Sequence, residues 1–190
     1  MLTPELVFGF GRAFPGVRIT LVEGNHEQLL KQLRTADIDI ALTYDLVPAS
    51  DIDLTALAQL PPYVMVGEHH PFATHSAVTI EDLATMPMVL LDMPWSREYF
   101  LGLFSEAGVT PNVVMRSSNM EVVRSMVANG VGFGIDNVRP KAHLSQDGKR
   151  LIRVRLAGAN RPMQLGYATA AHTQHSMVVN AFAERCRIFI

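Results

Sequence analysis

The 190-residue sequence predicts an α/β fold built on an open, mostly parallel sheet. Three observations carry that expectation. Apolar residues recur at helical spacing in several segments of about ten residues. Between these segments lie short runs that alternate apolar and polar residues, or are apolar throughout, as strands do. Glycine, proline and asparagine stand at the junctions, where chains stop and turn. Helix and strand in alternation is the pattern of a sheet with helices laid on its faces.

The first helix is read from Thr3 as N-cap and Pro4 at the first helical position. Leu6, Val7, Phe10 and Phe14 continue it at helical spacing, and Pro15-Gly16 ends it. Val17 to Val22 then alternates as a strand does. Gly24-Asn25 turns the chain, and Asn25 with Gln28 forms a capping box for a helix carrying Leu29, Leu30 and Leu33. Ile38 to Leu42 is a second strand. A sheet of this kind places a strand before its first helix, so a leading strand is expected upstream of this chain.

The middle repeats the pattern. Tyr63 to Val66 is a strand after Pro61-Pro62, and His69 to Ser76 is a loop. A short helix around Glu81-Asp82-Leu83 precedes the strand Met88 to Leu91. Ser96 to Ala107 is a helix with Phe100, Leu103 and Phe104 on one face, stopped by Gly108. A strand over Asn112 to Arg116, a helix over Asn119 to Asn129 and a strand over Val131 to Ile135 follow, with Gly130 ending the helix. Arg150 to Leu156 and Met163 to Thr169 are strands, and Gln174 to the end is a helix with Met177, Val178, Ala181 and Phe182.

Composition narrows the function. The net charge is −2, whereas a stand-alone nucleic-acid binder carries a basic excess. The one basic cluster, Lys149-Arg150 with Arg153 and Arg155, reads more readily as an exposed strand face than as a phosphate track. No run approaches the roughly 18 apolar residues of a membrane span. Cys186 is the single cysteine, so neither an intramolecular disulfide nor a cysteine zinc site can form. This fits a reducing compartment, and a cytoplasmic protein is expected.

No cofactor or metal is expected. Gly130-x-Gly132-x-Gly134 stands after a helix and before a strand, the reverse of a dinucleotide fingerprint. His172 with His175, and His69-His70, lack the three or four converging ligands of zinc and read as solvated surface residues. Ser105 and Ser125 sit inside helices without a nucleophile elbow. The carboxylate pairs Asp37 with Asp39 and Glu81 with Asp82 do not look like an acid/base dyad.

Several stretches resemble the effector-binding domain of LysR-type transcriptional regulators. They are FPGVRITLVEG, LLKQLRTADIDIALTYD, VGEHHPFATHSAVTIEDLATMPMVLLD and EVVRSMVANGVGFGIDNVRP, in that order. The second is the most specific: a helix ending in a basic residue, then an Asp-Ile-Asp-Ile-Ala-Leu strand. The resemblance implies a type 2 periplasmic-binding-protein-like fold, two Rossmann-like lobes joined by two crossover strands, with the effector between them. Residues 1–62 with 164–190 would form one regulatory lobe and residues 63–163 the other. The family's N-terminal winged helix-turn-helix and linker helix are absent from this sequence.

In open α/β sheets ligands bind beyond the carboxyl ends of strands. Helix N-termini there offer free N–H groups and partial positive charge. Four such places are read here: Thr3, Gly24-Asn25, Pro94-Trp95-Ser96-Arg97 and Ser117-Ser118-Asn119. Each alone is more readily a plain helix cap. Thr43 and Tyr44 end the second strand, and Tyr44 either walls a pocket or packs. Arg97 lies in the first turn of its helix, where a cation is disfavoured, so Glu98, Asp92 or a ligand is its expected partner. Asn137 is a further lining candidate.

The function expected from this is ligand sensing, not catalysis. A small metabolite, an organic acid or similar polar molecule, would bind between the lobes and control DNA binding by the absent helix-turn-helix domain. The resemblance implies a homodimer of these domains and a homotetramer of the full protein. The alternative is an extracytoplasmic solute-binding protein of the same fold. An enzyme on this scaffold ranks third, for want of a converging catalytic set.

Overall fold

A computed structural model of the chain describes residues 2–46 and 49–190. It begins with helices α1 (Leu2–Ala13) and α2 (His26–Arg34), then strands β1 (Ala41–Tyr44), β2 (Ile52–Leu60) and β3 (Tyr63–Gly67). A 3-10 turn over Pro71–Thr74 leads to β4 (Ala77–Val78), α3 (Ile80–Ala84), β5 (Pro87–Leu91), α4 (Ser96–Glu106) and β6 (Asn112–Ser117). Helix α5 (Met120–Ala128), strands β7 (Gly134–Asp136), β8 (Leu151–Leu156) and β9 (Met163–Ala170), and helix α6 (Met177–Phe189) complete it. None of these helices is long and apolar enough to cross a membrane.

The chain divides into two units, Met1–Gln59 with Gln164–Ile190, and Leu60–Met163. It passes between them twice, at residues 59–60 and 163–164. In the second unit β4, β8, β3 and β7 form one sheet in that order, and β5 pairs with β6 in parallel. The β5 edge is tied to the start of β7, with Val89 N–H donating to Phe133 C=O at 2.8 Å and Phe133 N–H to Pro87 C=O at 2.9 Å. Leu83, Val89, Leu90, Phe104, Val123 and Phe133 are fully enclosed in the core that results. Each such side chain contributes roughly 1.5–3 kcal/mol by leaving water.

The first unit is built more thinly. Its sheet has three strands in the order β1, β9, β2, with β1 antiparallel to β9. Two small apolar clusters serve it. Leu6, Tyr167, Ala183 and Cys186 form one, and Leu30, Leu33, Ala41 and Ala168 the other. Burial pushes the Cys186 thiol up to about 11, so it packs as an unreactive apolar group.

Most element expectations hold, and the exceptions have physical causes. Val17–Val22 is not a strand: among the described residues no backbone hydrogen bond joins residues 18–24 to anything. Alternation prepares a strand, but a ladder needs a neighbour. The second strand forms at Ala41–Tyr44, against β9, and leaves Ile38 and Ile40 outside it. The strand expected from Val131 starts at Gly134, because Val131 N–H still closes the α5 terminus on Met126 C=O at 3.2 Å. Helix α6 starts later than Gln174, because Ser176 is its N-cap and accepts from Val179 N–H at 3.3 Å. The helix α1 starts at Leu2, which puts Thr3 within its first turn instead of at the cap. Strands β2 and β4 were not expected.

Candidate functional site

The parallel pair β5 and β6 leads into five of the expected residues, Pro94, Ser96, Arg97, Ser118 and Asn119. Leu91 faces Ser117 across the ladder, and Asp92 N–H donates to Ser117 C=O at 2.8 Å. The two strands therefore end side by side, and each leads within a few residues into a helix N-terminus, α4 and α5. Strand β7 ends near α4 as well, because Asn137 Nδ2 donates to the Tyr99 hydroxyl in the second turn of α4 at 3.0 Å.

The α4 terminus is unusual. Its N-cap position is Trp95, with φ +68°, and no side chain caps the helix. A non-glycine residue in this left-handed region is uncommon and costs of order 1 kcal/mol. Pro94 and Trp95 form the exposed turn that aims the helix start. Arg97 takes both of its expected internal partners, Asp92 at 2.9 Å and Glu98 at 2.6 Å. Arg116 also reaches Asp92, at 3.5 Å. Partial desolvation works against ionisation of Glu98, yet Arg97 and the Glu98 and Trp95 amides hold its carboxyl below the usual range. A carboxylate is thus already stabilised at this helix start, as the helix dipole favours.

At α5, Asn119 is the N-cap, and its Oδ1 accepts from Glu121 N–H at 2.9 Å. Ser117 Oγ accepts from Asn119 N–H at 3.1 Å. Ser118 is exposed. Among the described residues the Ser96 and Ser118 hydroxyls have no hydrogen-bond partner. They are hydroxyl donors left over at these paired strand ends.

The same unit holds a buried polar group that the sequence did not single out. Asp136 is 4% exposed and accepts from Asn137 N–H at 2.7 Å, Val138 N–H at 3.0 Å and the Tyr63 hydroxyl at 3.2 Å. Burial raises its carboxyl above the ordinary value, against the pull of those donors. Asn137 is also buried, and its Nδ2 donates to Leu60 C=O at 2.7 Å as well as to Tyr99. Its Oδ1 has no partner. Asn137 Nδ2 therefore ties the end of β7 to α4.

In the first unit, Asn25 caps α2 through a complete capping box, accepting from Gln28 N–H at 2.9 Å. The residue after it, His26, is buried, and its Nδ1 is hydrogen-bonded to Thr43 Oγ1 at 3.0 Å. Burial, helped by the charge of Arg34, lowers the His26 pKa, so the ring is neutral near pH 7. Its Nε2 is buried without a partner. Thr43, at the carboxyl end of β1, was expected; His26 was not, although its place at a capped helix start marks it. Tyr44 closes β1 opposite Leu165.

Thr3 and Gly24 lie elsewhere in the same unit. Both line a cavity of about 620 Å³ between residues 17–24 and 37–42, floored by α1 and α6. The eleven expected residues thus fall into four places: the β5 and β6 ends, the end of β7, the β1 end, and this cavity.

The LysR substrate binding domain family matches residues 1–188. The regulator CysB of Haemophilus influenzae is 28% identical over 152 residues, which cover 77% of this chain and 45% of CysB. The chain thus spans less than half the length of that relative. The crystal structure of HinK, a LysR family transcriptional regulator from Pseudomonas aeruginosa, superposes with a TM-score of 0.92 at 35% identity, over 97% of this chain and 64% of that one. The BenM effector-binding domain with its effector benzoate shares the fold, with a TM-score of 0.82 at 18% identity, over 99% of this chain and 85% of that one.

Proposed function

The chain belongs to the LysR substrate-binding-domain family, and from that premise we propose that its effector is a small anionic metabolite, with a carboxylate as the recognised group. It is a LysR-type effector-binding domain with the type 2 periplasmic-binding-protein-like fold of that family. The observation that carries the anionic reading is the paired ending of β5 and β6. A helix N-terminus follows each strand end within a few residues, one of the two without a side-chain cap, and the Ser96 and Ser118 hydroxyls there are unpartnered. Orphan N–H groups and hydroxyl donors suit a carboxylate. The effector of BenM, benzoate, has that chemistry. Thr43, Tyr44 and Asn25 at the β1 end are proposed as further contacts, and Pro94, Arg97, Asn119 and Asn137 as the residues that shape the first.

Effector binding would act through a difference in affinity between states of the full regulator. DNA contact belongs to a helix-turn-helix domain outside this chain, and the assembly is a homodimer or homotetramer in the cytoplasm. Catalysis has no place in this reading, since the relatives are regulators.

A thermal-shift panel of small carboxylates with their matching primary amides tests it. A ligand at about a hundred times its dissociation constant stabilises by about 2.7 kcal/mol, a shift of roughly 5–10 °C for a domain of this size. We expect at least one carboxylate to give that shift, its amide to give little, and Ser96→Ala to reduce it at unchanged basal melting temperature. Equal shifts from acid and amide would remove the anionic reading, and an unaffected Ser96→Ala would remove Ser96 from the site.

A further inference from the structure

Residues 139–155 hold six lysines and arginines against one carboxylate, Asp147, whereas the rest of the chain holds ten against seventeen. Lys149, Arg150, Arg153 and Arg155 are neighbours in sequence, and the fold brings Arg139 and Lys141 to them. Residues 138–144 run from the end of β7 to the start of β8 as a pinned strap. The carbonyls of Val138, Pro140, Ala142 and Leu144 each accept from a side chain: the Tyr63 hydroxyl at 2.8 Å, the Arg153 guanidinium, and Arg124 Nη2 at 3.4 and 3.3 Å. Arg139 and Arg153 both lie over the enclosed Tyr63 ring, their guanidinium carbons 5.4 and 5.7 Å from its centroid. Arg155 stands opposite Tyr63 in the β3 and β8 ladder, which puts their side chains on one face of the sheet. At the other end Leu144 bridges to Arg150, and Ser145 N–H donates to Lys149 C=O at 2.9 Å. Arg34, Arg97, Arg116, Arg124 and Arg187 each meet a carboxylate. Among the described residues none of the six cations of this ribbon is ion-paired, and all but Arg153 are exposed. Asp147 is taken up by Ser145 Oγ at 2.5 Å and Asn129 Nδ2 at 2.7 Å.

We infer that this basic ribbon holds the phosphate backbone of duplex DNA, as a weak contact additional to that of the helix-turn-helix domain. Keeping like charges together raises the free energy of the ribbon. A polyanion laid along it lowers that free energy and releases its own counterions. Four of the six cations are arginines, whose forked donors fit phosphate oxygens. The cations are spread along the strap and β8 and open to water, which suits an extended anion better than a small enclosed one. Backbone contacts of this kind position a protein on DNA without reading its bases, so the contact is independent of sequence. A net charge of −2 argues against a stand-alone nucleic-acid binder but leaves room for a local contact. The choice of DNA over an acidic protein rests on the proposed reading of the chain as part of a DNA-binding regulator. A domain tethered to bound DNA meets it intramolecularly, so a weak contact adds to the affinity of the whole.

Fluorescence anisotropy of a labelled duplex of random sequence, titrated with the chain over a range of salt, tests the inference. At low salt we expect a dissociation constant of about 10⁻⁵ M, with a slope of log affinity against log salt of about −4 to −5. Arg139→Gln/Lys141→Gln/Arg155→Gln is expected to weaken binding about tenfold or more and to reduce the slope by about 2–3. Lys149→Gln/Arg150→Gln, at the other end of the ribbon, should act in the same direction, with a slope change of about 2. Arg12→Gln/Arg18→Gln/Lys31→Gln removes as much charge from exposed positions of the first unit and should change affinity by less than about twofold. Absence of salt-dependent binding by the parent overturns the inference, and so do equal losses in the two triple variants. Competition by polyglutamate as strong, per charge, as by unlabelled duplex overturns it in favour of an acidic protein. A salt-sensitive dimer, seen by sedimentation and lost in the ribbon variants, overturns it in favour of a second copy of this chain. These titrations contain no effector, so this contact and the anionic effector fail separately.

Discussion

Residues 17–22 and 112–117 carry similar sequence signals and have opposite fates. Both are short and rich in valine and other strand formers, and each connects a helix to the next. In the second unit, Asn112–Ser117 pairs along β5, and the two strand ends build the candidate site. In the first, Val17–Val22 is extended and unpaired, beside a cavity. The difference teaches that local pattern sets what a segment is able to be, while the presence of a neighbour decides whether it becomes a strand. The energetic consequence is a closed core in the second unit and two small clusters in the first.

Large-to-small substitutions test that contrast most strongly. Phe104 is fully enclosed in the second unit, and Phe104→Ala is expected to cost about 3–5 kcal/mol. Leu30, 7% exposed in a four-residue cluster, should sit at the low end, about 2 kcal/mol for Leu30→Ala. Urea midpoints measure both. Equal losses would break the comparison.

Glycine substitutions give the next largest difference. A Cβ on Gly132 would collide with Pro87 C=O, within the backbone tie between β5 and β7. Gly132→Ala is expected to destabilise by about 1–3 kcal/mol. Gly11 in α1 has nothing within 4 Å of that position. Gly11→Ala should stabilise by up to about 1 kcal/mol, because alanine suits a helix interior better. A loss of stability at Gly11 would mean that this helix face is covered in solution.

The sequence made the elements of the second unit legible because each of its signals had a partner within reach. The Gly108 and Gly130 stops and the β5 and β6 runs form as read, and in the first unit the Asn25–Gln28 box does too. Strand β2 escaped because Ile52–Leu60 alternates through alanine and leucine, which favour helices, and its half-exposed burial leaves a faint period. At the site, helix starts were legible as caps, but what the caps do was not. Asn119 satisfies its own helix and Asn137 turns inward, choices fixed by which backbone group each amide meets in space. His26 was missed because a histidine beside a cap looks like surface, and its burial depends on Thr43, 17 residues away.

The finest test uses one histidine from each unit. Burial first, then Arg34, lowers the His26 pKa below its ordinary 6.5. Burial alone lowers that of His70 in the second unit, whose Nδ1 accepts from Phe72 N–H at 3.1 Å. For both, the unfolded chain binds a proton at higher pH than the folded one. Stability therefore falls as pH drops through about 6.5 toward the depressed folded value. Asp136, whose carboxyl is raised, contributes with the opposite sign and in both parent and variants, so it cancels from differences. His26→Asn keeps a polar atom near Thr43 and removes the titration. Urea midpoints between about pH 7 and pH 5 should fall less steeply in this variant than in the parent, and likewise in His70→Asn. If the first unit opens locally around its unpaired residues 17–22 before the whole chain unfolds, His26→Asn will flatten the pH dependence of amide protection around α2 and leave that of the β3 and β8 ladder unchanged. A response of the β3 and β8 amides equal to that around α2 would mean that the two units unfold as one, and the contrast between them would then describe packing alone.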